Sequence, residues 1–573
     1  MSSHTTAHHF LEGLAEAGIE HLFCNLGTDH ASLIEELAQR DSGGRNYPGV
    51  ILCPHENVAI HMAGGFAAMT GRGQGVLVHV DAGTANAAMG MHNLFRGRLP
   101  VMLMAGRSPH TLRGELPGSR DNYVHYVQDP FDIGSLVRPY VKWEYALATG
   151  VNSKEVVRRG HSVMQSDPPG PVYLTLPRET LAESWDDARV ASFDAARYGA
   201  VARDGASQAA AGRIADRLLA ARKPVVVTSY LGRKPAAVAA LDALAQECGI
   251  AVVESSPSYL CISRQSPCFA GFDPLRTLDG ADLGLLLDVD VPWLPKYATE
   301  NPALRWIQVD VDAIKRDFPL WGFAADERLE ADCAQTLGQV LAIVRERAGA
   351  EYRKDAAARV TALAEARLAR LRAAAAAAAD PGSSNALSPA YVCAALNRAL
   401  GAGDIVINEA IRNAPVVLAQ VARSEPLTLI SGAGAGLGYS GGMALGARLA
   451  RPEQRVINVL GDGGFHFSTP TSVYAVAQQY SLPIFTLVLD NGGWQAVKEA
   501  TLRVHPDGFA AAANQFQARL TGAVRRFDQV AAAFGAHGET VSDAAEVEAA
   551  IARCLAAVDR GQAAVLVAKI KQF

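Results

Sequence analysis

Two acidic turns, each at the end of an apolar run, lie close together in the C-terminal part of this sequence. A Gly-Asp-Gly motif at 461–463 ends the first run, and an Asp-Asn pair at 490–491 ends the second. The spacing predicts strand, turn, helix and strand, and the carboxyl ends of neighbouring parallel strands meet at one edge of a sheet. The pattern therefore predicts a polar site at that edge, suited to a hard cation and a phosphorylated cofactor.

The groups at these turns are those that bind Mg²⁺ in proteins. Asp462, the side chain of Asn491 and the carbonyl of Gly493 would supply three oxygen ligands. Backbone N–H groups of a glycine-rich turn can also approach a diphosphate at a helix start, where the helix dipole favours negative charge. The glycines of this turn are Gly461, Gly463 and Gly464. Because an Asp-Gly pair alone is ordinary turn chemistry, the downstream Asn491 decides the interpretation.

Together these turns resemble the signature of the thiamine-diphosphate-dependent enzymes of the decarboxylase and acetohydroxyacid synthase superfamily. The resemblance implies an α/β fold with three doubly wound parallel-sheet domains: a pyrimidine-binding, a middle and a diphosphate-binding domain. It also implies thiamine diphosphate and Mg²⁺ as cofactors. Two departures stand out, since Asp490 replaces the first Asn of the family's pair and Asn491 follows Asp462 by 29 residues, about two more than usual.

The other half of the resemblance lies far upstream, at Glu56 before a glycine-rich segment. Family members carry a Glu there that binds the aminopyrimidine ring and prepares the cofactor to lose a proton, a role for a carboxylate in a fairly dry place. Taken alone, Glu56 is more typical of a charge at a helix N-terminus. In the segment 431–439, the resemblance implies that Leu437 lies under the cofactor and that the Ala435 carbonyl accepts from its exocyclic amine.

The same glycine-rich segment supports an alternative from another class. Residues 436–441 fit the dinucleotide fingerprint, and Asp462 follows about twenty residues later, as a nicotinamide oxidoreductase would require. That interpretation leaves Glu56 and Asn491 without a role. The thiamine interpretation accounts for all three residues and is therefore preferred.

The segment 79–90 is similar to the His-containing segment of benzoylformate decarboxylase-like members. His79 would then handle substrate protons, a role that suits a side chain titrating near neutrality, although a core histidine in a strand is the alternative. Thr28, His30 and Trp494 are candidate substrate contacts, and His30 is also a candidate catalytic residue. For His30 the alternative is no role, and for Trp494 it is packing. The expected activity is that of a carbon–carbon lyase or carboligase acting on a 2-oxo acid or aldehyde, with acetohydroxyacid synthase or 2-hydroxyacyl-CoA lyase as alternatives.

The composition limits the other classes of function. The net charge of −5, from 53 basic and 58 acidic residues, gives no basic surface for nucleic acid. No apolar run approaches the length of about 18 residues that a membrane span needs, and the N-terminus lacks the features of a signal peptide. The eight cysteines include no Cys-x-x-Cys motif, which favours reduced thiols in the cytoplasm.

The 573 residues suggest three or four domains of about 150 residues each. A faint likeness between the first and last blocks suggests a duplicated domain, with chance as the alternative. The middle block lacks a glycine fingerprint, so we expect no FAD there. The family resemblance also implies a homo-oligomer, dimer or tetramer, with sites at the subunit interfaces. The predicted units are a pyrimidine-binding domain at 1–185, a middle domain at 186–350, a linker at 351–388 and a diphosphate-binding domain at 389–573.

Overall fold

Three six-stranded parallel sheets organise the chain in the computed structural model, which describes residues 2–41, 46–298, 301–520 and 525–572. The first block contains the strands β1 (Ser3–Thr5), β2 (His21–Cys24), β3 (Gly49–Leu52), β4 (Gln74–Val78), β5 (Val101–Arg107), β6 (Glu144–Ala146), β7 (Val172–Pro177) and β8 (Ser184–Asp186). Its helices are α1 (Thr6–Glu16), α2 (Ala31–Asp41), α3 (Glu56–Thr70), α4 (Val80–Arg96), α5 (Val124–Val127), α6 (Ser153–Gln165) and α7 (Arg178–Ala182). β1 and β8 form a separate antiparallel pair, and the others form one sheet in the order β3-β2-β4-β5-β7-β6.

The middle block carries the second sheet. Its strands are β9 (Pro224–Thr228), β10 (Ala251–Glu254), β11 (Phe269–Gly271), β12 (Leu283–Leu287), β13 (Arg305–Asp310) and β14 (Glu327–Glu330). Its helices are α8 (Gln208–Ala220), α9 (Pro235–Cys248), α10 (Leu275–Leu278) and α11 (Cys333–Arg347). The order β11-β10-β9-β12-β13-β14 is that of a dinucleotide-binding fold. The loop 229–234, where a fingerprint would lie, is buried as far as Gly232.

The helix α12 (Ala350–Ala378) leads from the middle block to the last one. It packs on α9, where the Arg359 guanidinium donates to the Cys248 carbonyl at 2.8 Å. The segment expected to be a linker is therefore largely this alanine-rich helix. Among the described residues, no helix has both the length and the apolar character needed to cross a bilayer.

The last block carries the third sheet. Its strands are β15 (Gly382–Ser383), β16 (Ala386–Leu387), β17 (Ile405–Glu409), β18 (Leu429–Ser431), β19 (Val456–Gly461), β20 (Phe485–Asp490), β21 (His537–Val541) and β22 (Ala564–Lys569). Its helices are α13 (Pro389–Ala399), α14 (Ala414–Gln420), α15 (Ser440–Ala450), α16 (Asp462–Phe467), α17 (Pro470–Gln479), α18 (Gln495–Val504), α19 (Phe509–Ala513), α20 (Phe527–Ala532) and α21 (Val547–Asp559). β15 and β16 pair with each other, and the sheet order is β18-β17-β19-β20-β22-β21.

The first and third sheets share one topology. Numbered within each sheet, the strand order is second, first, third, fourth, sixth and fifth in both. All their neighbouring strands are parallel, and their central strands are apolar runs buried on both faces, as helices covering both sides of a sheet require. The expected α/β fold is confirmed. The shared order also supports the duplication inferred from the sequence.

The equivalent helices α3 and α15 join the first and last domains. Each follows the second strand of its sheet, and the two helices pack directly against each other. Their backbones approach so closely that a Cβ at Gly65 would overlap the Met443 carbonyl and one at Gly446 would overlap the Met62 carbonyl. Only glycine fits at these two positions, because the obstacle is backbone that cannot rotate away.

Gly446→Ala should lower the free energy of unfolding by about 1–3 kcal/mol or more, since the added methyl group forces the two helices apart. Urea unfolding followed by circular dichroism measures the change. Gly338→Ala is the matched control, because Gly338 lies in α11 and a Cβ there meets nothing within 4 Å. The control should be neutral or slightly stabilising, and equal losses in both variants would contradict the close-packing argument.

Candidate functional site

Asp462 is the first residue of α16 and lies at the carboxyl end of β19. Its side chain is 3% exposed. One carboxylate oxygen accepts from the Gly463 N–H at 2.8 Å, and the other accepts from the N–H groups of Gly492 and Gly493 at 2.8 and 2.9 Å. The two turns predicted to meet at one sheet edge are thus joined by these hydrogen bonds. Burial, together with the nearby Asp490, raises the pKa of Asp462 above its usual value.

Asp490, which departs from the family pattern, is neutralised by two basic residues. Its carboxylate accepts from Arg525 Nε at 2.9 Å and from Lys569 Nζ. Burial would raise the pKa of Asp490, but these two cations outweigh it and hold the pKa below the usual value. The extra acid therefore adds little net negative charge beside Asp462. No motif in the sequence indicated these two cations, because Arg525 and Lys569 lie 35 and 79 residues downstream of Asp490.

A cavity of about 160 Å³ opens beside this turn. Leu437, Gly461 and Asn491 line it, and the Trp494 indole forms another wall. Trp494 packs on Gly463, where a Cβ would lie 2.7 Å from the indole nitrogen. The residues around this cavity are suited to an elongated ligand with an apolar part against Leu437 and an anionic part against the glycine turn.

The donors at the turn fit Mg²⁺ and a diphosphate. Asp462, the Asn491 amide and the Gly493 carbonyl are hard oxygen donors at one edge of the sheet, as Mg²⁺ prefers. A Cβ built at Gly461 meets nothing within 4 Å, so the backbone there is open to a ligand. The remaining predicted cofactor contacts, Gly463 and Gly464, are buried in the same helix start.

Glu409 is a site residue that the sequence analysis missed. It ends β17, lines the same cavity and is 1% exposed. Its carboxylate accepts from the Gly438 N–H and, at 2.9 Å, from the Ser440 N–H. Burial raises its pKa to about 7. The signal was available, because Glu409 is another polar residue that ends an apolar strand at this edge.

Glu56 is the first residue of α3 and is 6% exposed. Its two carboxylate oxygens accept from the side-chain amides of Asn25 at 2.8 Å and Asn86 at 3.1 Å. Glu56 is absent from the described residues that line the Asp462 cavity, all of which belong to the last domain. The single chain therefore holds Glu56 and Asp462 in two separate places.

His79 caps α4 just after β4, rather than lying within a strand. Its Nδ1 is 2.5 Å from Asp29 Oδ1, and its Nε2 is 2.8 Å from Gln128 Oε1. The hydrogen bond with Asp29 raises the pKa of His79 despite partial burial. Glycine is needed nearby, because a Cβ at Gly27 would overlap the His79 ring. The His79 side chain is 24% exposed, unlike that of a core histidine.

His30 lies on the other side of the Asp29 carboxylate. Its Nε2 is 3.2 Å from Asp29 Oδ2, and its Nδ1 accepts from the Gly27 N–H at 3.0 Å. The His30 ring is fully buried in the single chain. Thr28, by contrast, is exposed at the start of this turn. Asp29 lies between the predicted residues Thr28 and His30, and no motif in the sequence indicated it.

The glycines of the dinucleotide fingerprint serve packing within the chain. A Cβ at Gly436 would meet Met89 and Asn93, and one at Gly438 would overlap the Phe467 carbonyl. The strand before the fingerprint, β18, is separated by β17 from β19, the strand that Asp462 follows. Gly436 and Gly438 therefore face neighbouring protein atoms. Ala435 in the same loop is exposed and has a φ of +57°, a strained conformation for alanine.

Family models and relatives agree with this geometry. The model of the thiamine pyrophosphate enzyme N-terminal TPP binding domain matches residues 4–136, and that of the C-terminal TPP binding domain matches residues 413–568. A benzoylformate decarboxylase from Pseudomonas aeruginosa is 27% identical over 458 residues, covering 78% of this chain and 80% of the relative. An acetolactate synthase from Bacillus subtilis is 24% identical over 514 residues, covering 84% and 81%.

A solved structure shares the whole fold. A thiamine-diphosphate-dependent 4-hydroxybenzoylformate decarboxylase from Rhodococcus jostii matches with a TM-score of 0.78 and 21% identity, covering 100% of this chain and 99% of that one. The expected likeness to benzoylformate decarboxylase-like members is confirmed. Since the two TPP binding domains occupy the duplicated first and last blocks, the chain belongs to the family of thiamine-diphosphate-dependent enzymes.

Proposed function

We propose that this chain is a 2-oxo acid decarboxylase that uses thiamine diphosphate with Mg²⁺. The decarboxylase assignment rests on His79, which is partly exposed and has a raised pKa. His79 lies at the carboxyl edge of the first sheet, where Glu56 also lies. The relative named as benzoylformate decarboxylase supports the same class. Asp462, Asn491 and the Gly493 carbonyl are the proposed Mg²⁺ ligands.

When bound, thiamine diphosphate supplies the electron sink for the bond that breaks beside the substrate carbonyl. Glu56, held by two amides, is assigned to keep a proton at the aminopyrimidine ring. His79 is assigned to donate and recover substrate protons at Nε2, with Asp29 stabilising its charged form. Leu437 and Trp494 form apolar walls that limit water at the site.

Carboligation is the second candidate, since the acetolactate synthase relative matches a similar share of the chain. Both reactions begin on a 2-oxo acid. They differ in what happens to the fragment of the substrate that remains after CO₂ has left. A decarboxylase protonates and releases it as an aldehyde, a step for which a proton donor such as His79 is suited. A synthase transfers it to a second carbonyl compound.

A screen of aromatic and aliphatic 2-oxo acids with thiamine diphosphate and Mg²⁺ should detect release of CO₂ and an aldehyde. Glu56→Gln should reduce kcat by about a hundredfold or more, because an amide cannot share a proton with the cofactor. Binding of the cofactor, measured by calorimetry, should change little. Glu35→Gln, a change to an exposed glutamate of α2, is the matched control and should leave the rate unchanged.

Two results would count against the proposal. Acetolactate-type products without free aldehyde would favour the synthase. Near-parental turnover in Glu56→Gln would remove Glu56 from the chemistry.

The active form is proposed to be a homo-oligomer, a dimer or tetramer, in which Glu56 of one chain and the Asp462 turn of another meet at one cofactor. The separation of the two groups within one chain supports this arrangement. Exposed apolar side chains lie near both groups of site residues in the sequence. They are Tyr123, Val127 and Phe131 around Gln128, and Val504 and Phe509 after Trp494. Such side chains are typical of surfaces covered in an assembly.

Mixing inactive Glu56→Gln chains with inactive Asp462→Ala chains should restore activity. In a mixed dimer one of the two interface sites has both groups intact, so random pairing of equal amounts gives about a quarter of the parental sites. Steady-state assays after subunit exchange measure the recovery. Mixing Glu56→Gln with inactive Glu56→Ala chains is the control and should restore nothing. Complete exchange without recovery would place both groups in one subunit's site.

Asp29→Asn should change stability in a pH-dependent way, because Asp29 raises the pKa of His79. A histidine whose pKa is raised on folding stabilises the folded state at pH values below its unfolded pKa of about 6.5. This stabilisation disappears as the pH rises through the pKa of the folded state. The loss of melting temperature should therefore be larger near pH 6 than near pH 9. Glu35→Gln, at an exposed position of α2, is the control, and an equal loss at both pH values in Asp29→Asn would contradict the assignment.

A reducing, cytoplasmic compartment is part of the proposal. The eight cysteines are all buried and none forms a disulfide. Sparse, unpaired cysteines in a large chain are typical of proteins in a reducing environment.

A further inference from the structure

A cluster of three potential metal ligands lies on α1, away from the cofactor residues. His8, His9 and Glu12 each offer one ligand atom, and these atoms all lie within 4.8 Å of one another. His8 and Glu12 are four residues apart and share one face of the helix. Imidazole nitrogens with one carboxylate are a common ligand set for Zn²⁺.

The spacing of the first two ligand atoms fits a common ion. His8 Nε2 lies 3.4 Å from Glu12 Oε1. Two ligands that each lie about 2.1 Å from a tetrahedral Zn²⁺ are separated by about 3.4 Å. The existing rotamers of these two side chains therefore match one edge of a zinc tetrahedron.

The hydrogen bonds of Tyr47 orient the His8 ring for this role. The Tyr47 hydroxyl donates to Glu36 Oε2 at 3.1 Å, and His8 Nδ1 lies 2.5 Å from the Tyr47 oxygen. An ion bound at His8 Nε2 would leave Nδ1 to donate to that oxygen. Metal-binding histidines commonly donate their other ring N–H to a neighbour in this way.

His9 provides an independent indication of a ligand. His9 is 2% exposed, and neither of its ring nitrogens has a hydrogen-bond partner among the described residues. The nearest acidic oxygen, Asp187 Oδ1, lies 3.5 Å from Nε2. A buried imidazole without partners is unfavourable unless something occupies its lone pair.

We propose that His8, His9 and Glu12 bind a structural Zn²⁺ ion, with Asp187 beside the site as the nearest further carboxylate. Glu12 can serve because Lys154 Nζ binds its other oxygen, Oε2, at 2.9 Å. His4 pairs with Asp187 at 2.8 Å, which ties the site to the strand pair of β1 and β8. The ion would thus fasten the N-terminal helix to the segment that leaves the first domain.

The test uses the untagged full-length protein, treated with a chelator and then returned to buffer with excess Mg²⁺ and thiamine diphosphate. Titration with Zn²⁺ against a chromophoric chelator should show one tight site per chain. Loss of an outer partner already weakens metal binding by about 10–100-fold, so His9→Gln and Glu12→Gln should each weaken it at least about tenfold. Zn²⁺ should raise the melting temperature of the parent but not of these variants.

His161→Gln is the matched control, because His161 is a partly buried histidine on α6 outside the cluster. It should bind Zn²⁺ as the parent does. Glu12→Gln preserves size and keeps the test valid if His9→Gln fails to fold. A parent without a stoichiometric site, or variants with parental affinity, would overturn the proposal. Absence of zinc binding with a protonated His8 at neutral pH, seen by NMR, would assign the pair to an ordinary ion pair with Glu12.

Discussion

The close crossing of α3 and α15 is the contact on which the arrangement of the two cofactor-binding domains depends. It is a contact of backbone against backbone, since Gly65 lies on the Met443 carbonyl and Gly446 on the Met62 carbonyl. Polar contacts continue it toward the site, where the Asn57 side chain donates to the Gly438 carbonyl at 3.1 Å. Because each helix follows the same strand of its own sheet, the crossing places two equivalent sheet edges in a defined relation.

Duplication allows two equivalent edges to carry different chemistry. The turn after the third strand holds His79 in the first domain and Asp462 in the last. One edge offers a titrating side chain with a carboxylate behind it, and the other offers oxygen ligands and backbone N–H groups. The shared topology positions both turns, while the side chains at the turns decide what each binds.

Four of the buried acids near these edges are stabilised in different ways. Glu56 accepts from amides, Asp29 pairs with His79, and Asp490 pairs with Arg525 and Lys569. Asp462 accepts from backbone N–H groups at both oxygens, and burial raises its pKa. It is therefore the acid in this group whose charge a divalent cation would compensate most.

The sequence by itself determined the fold class, the strand ends and the residue types at them. Periodicity and glycine turns depend on local chemistry, so the sequence alone predicts that Asp462 and Asn491 lie at one edge of a parallel sheet. Tertiary structure alone decided which charges meet. Asp29 with His79, Asp490 with Lys569, and His8 with Tyr47 are pairs 50, 79 and 39 residues apart. Such pairings depend on how strands and helices that are distant in sequence pack within a domain, and the periodicity of the sequence does not predict them.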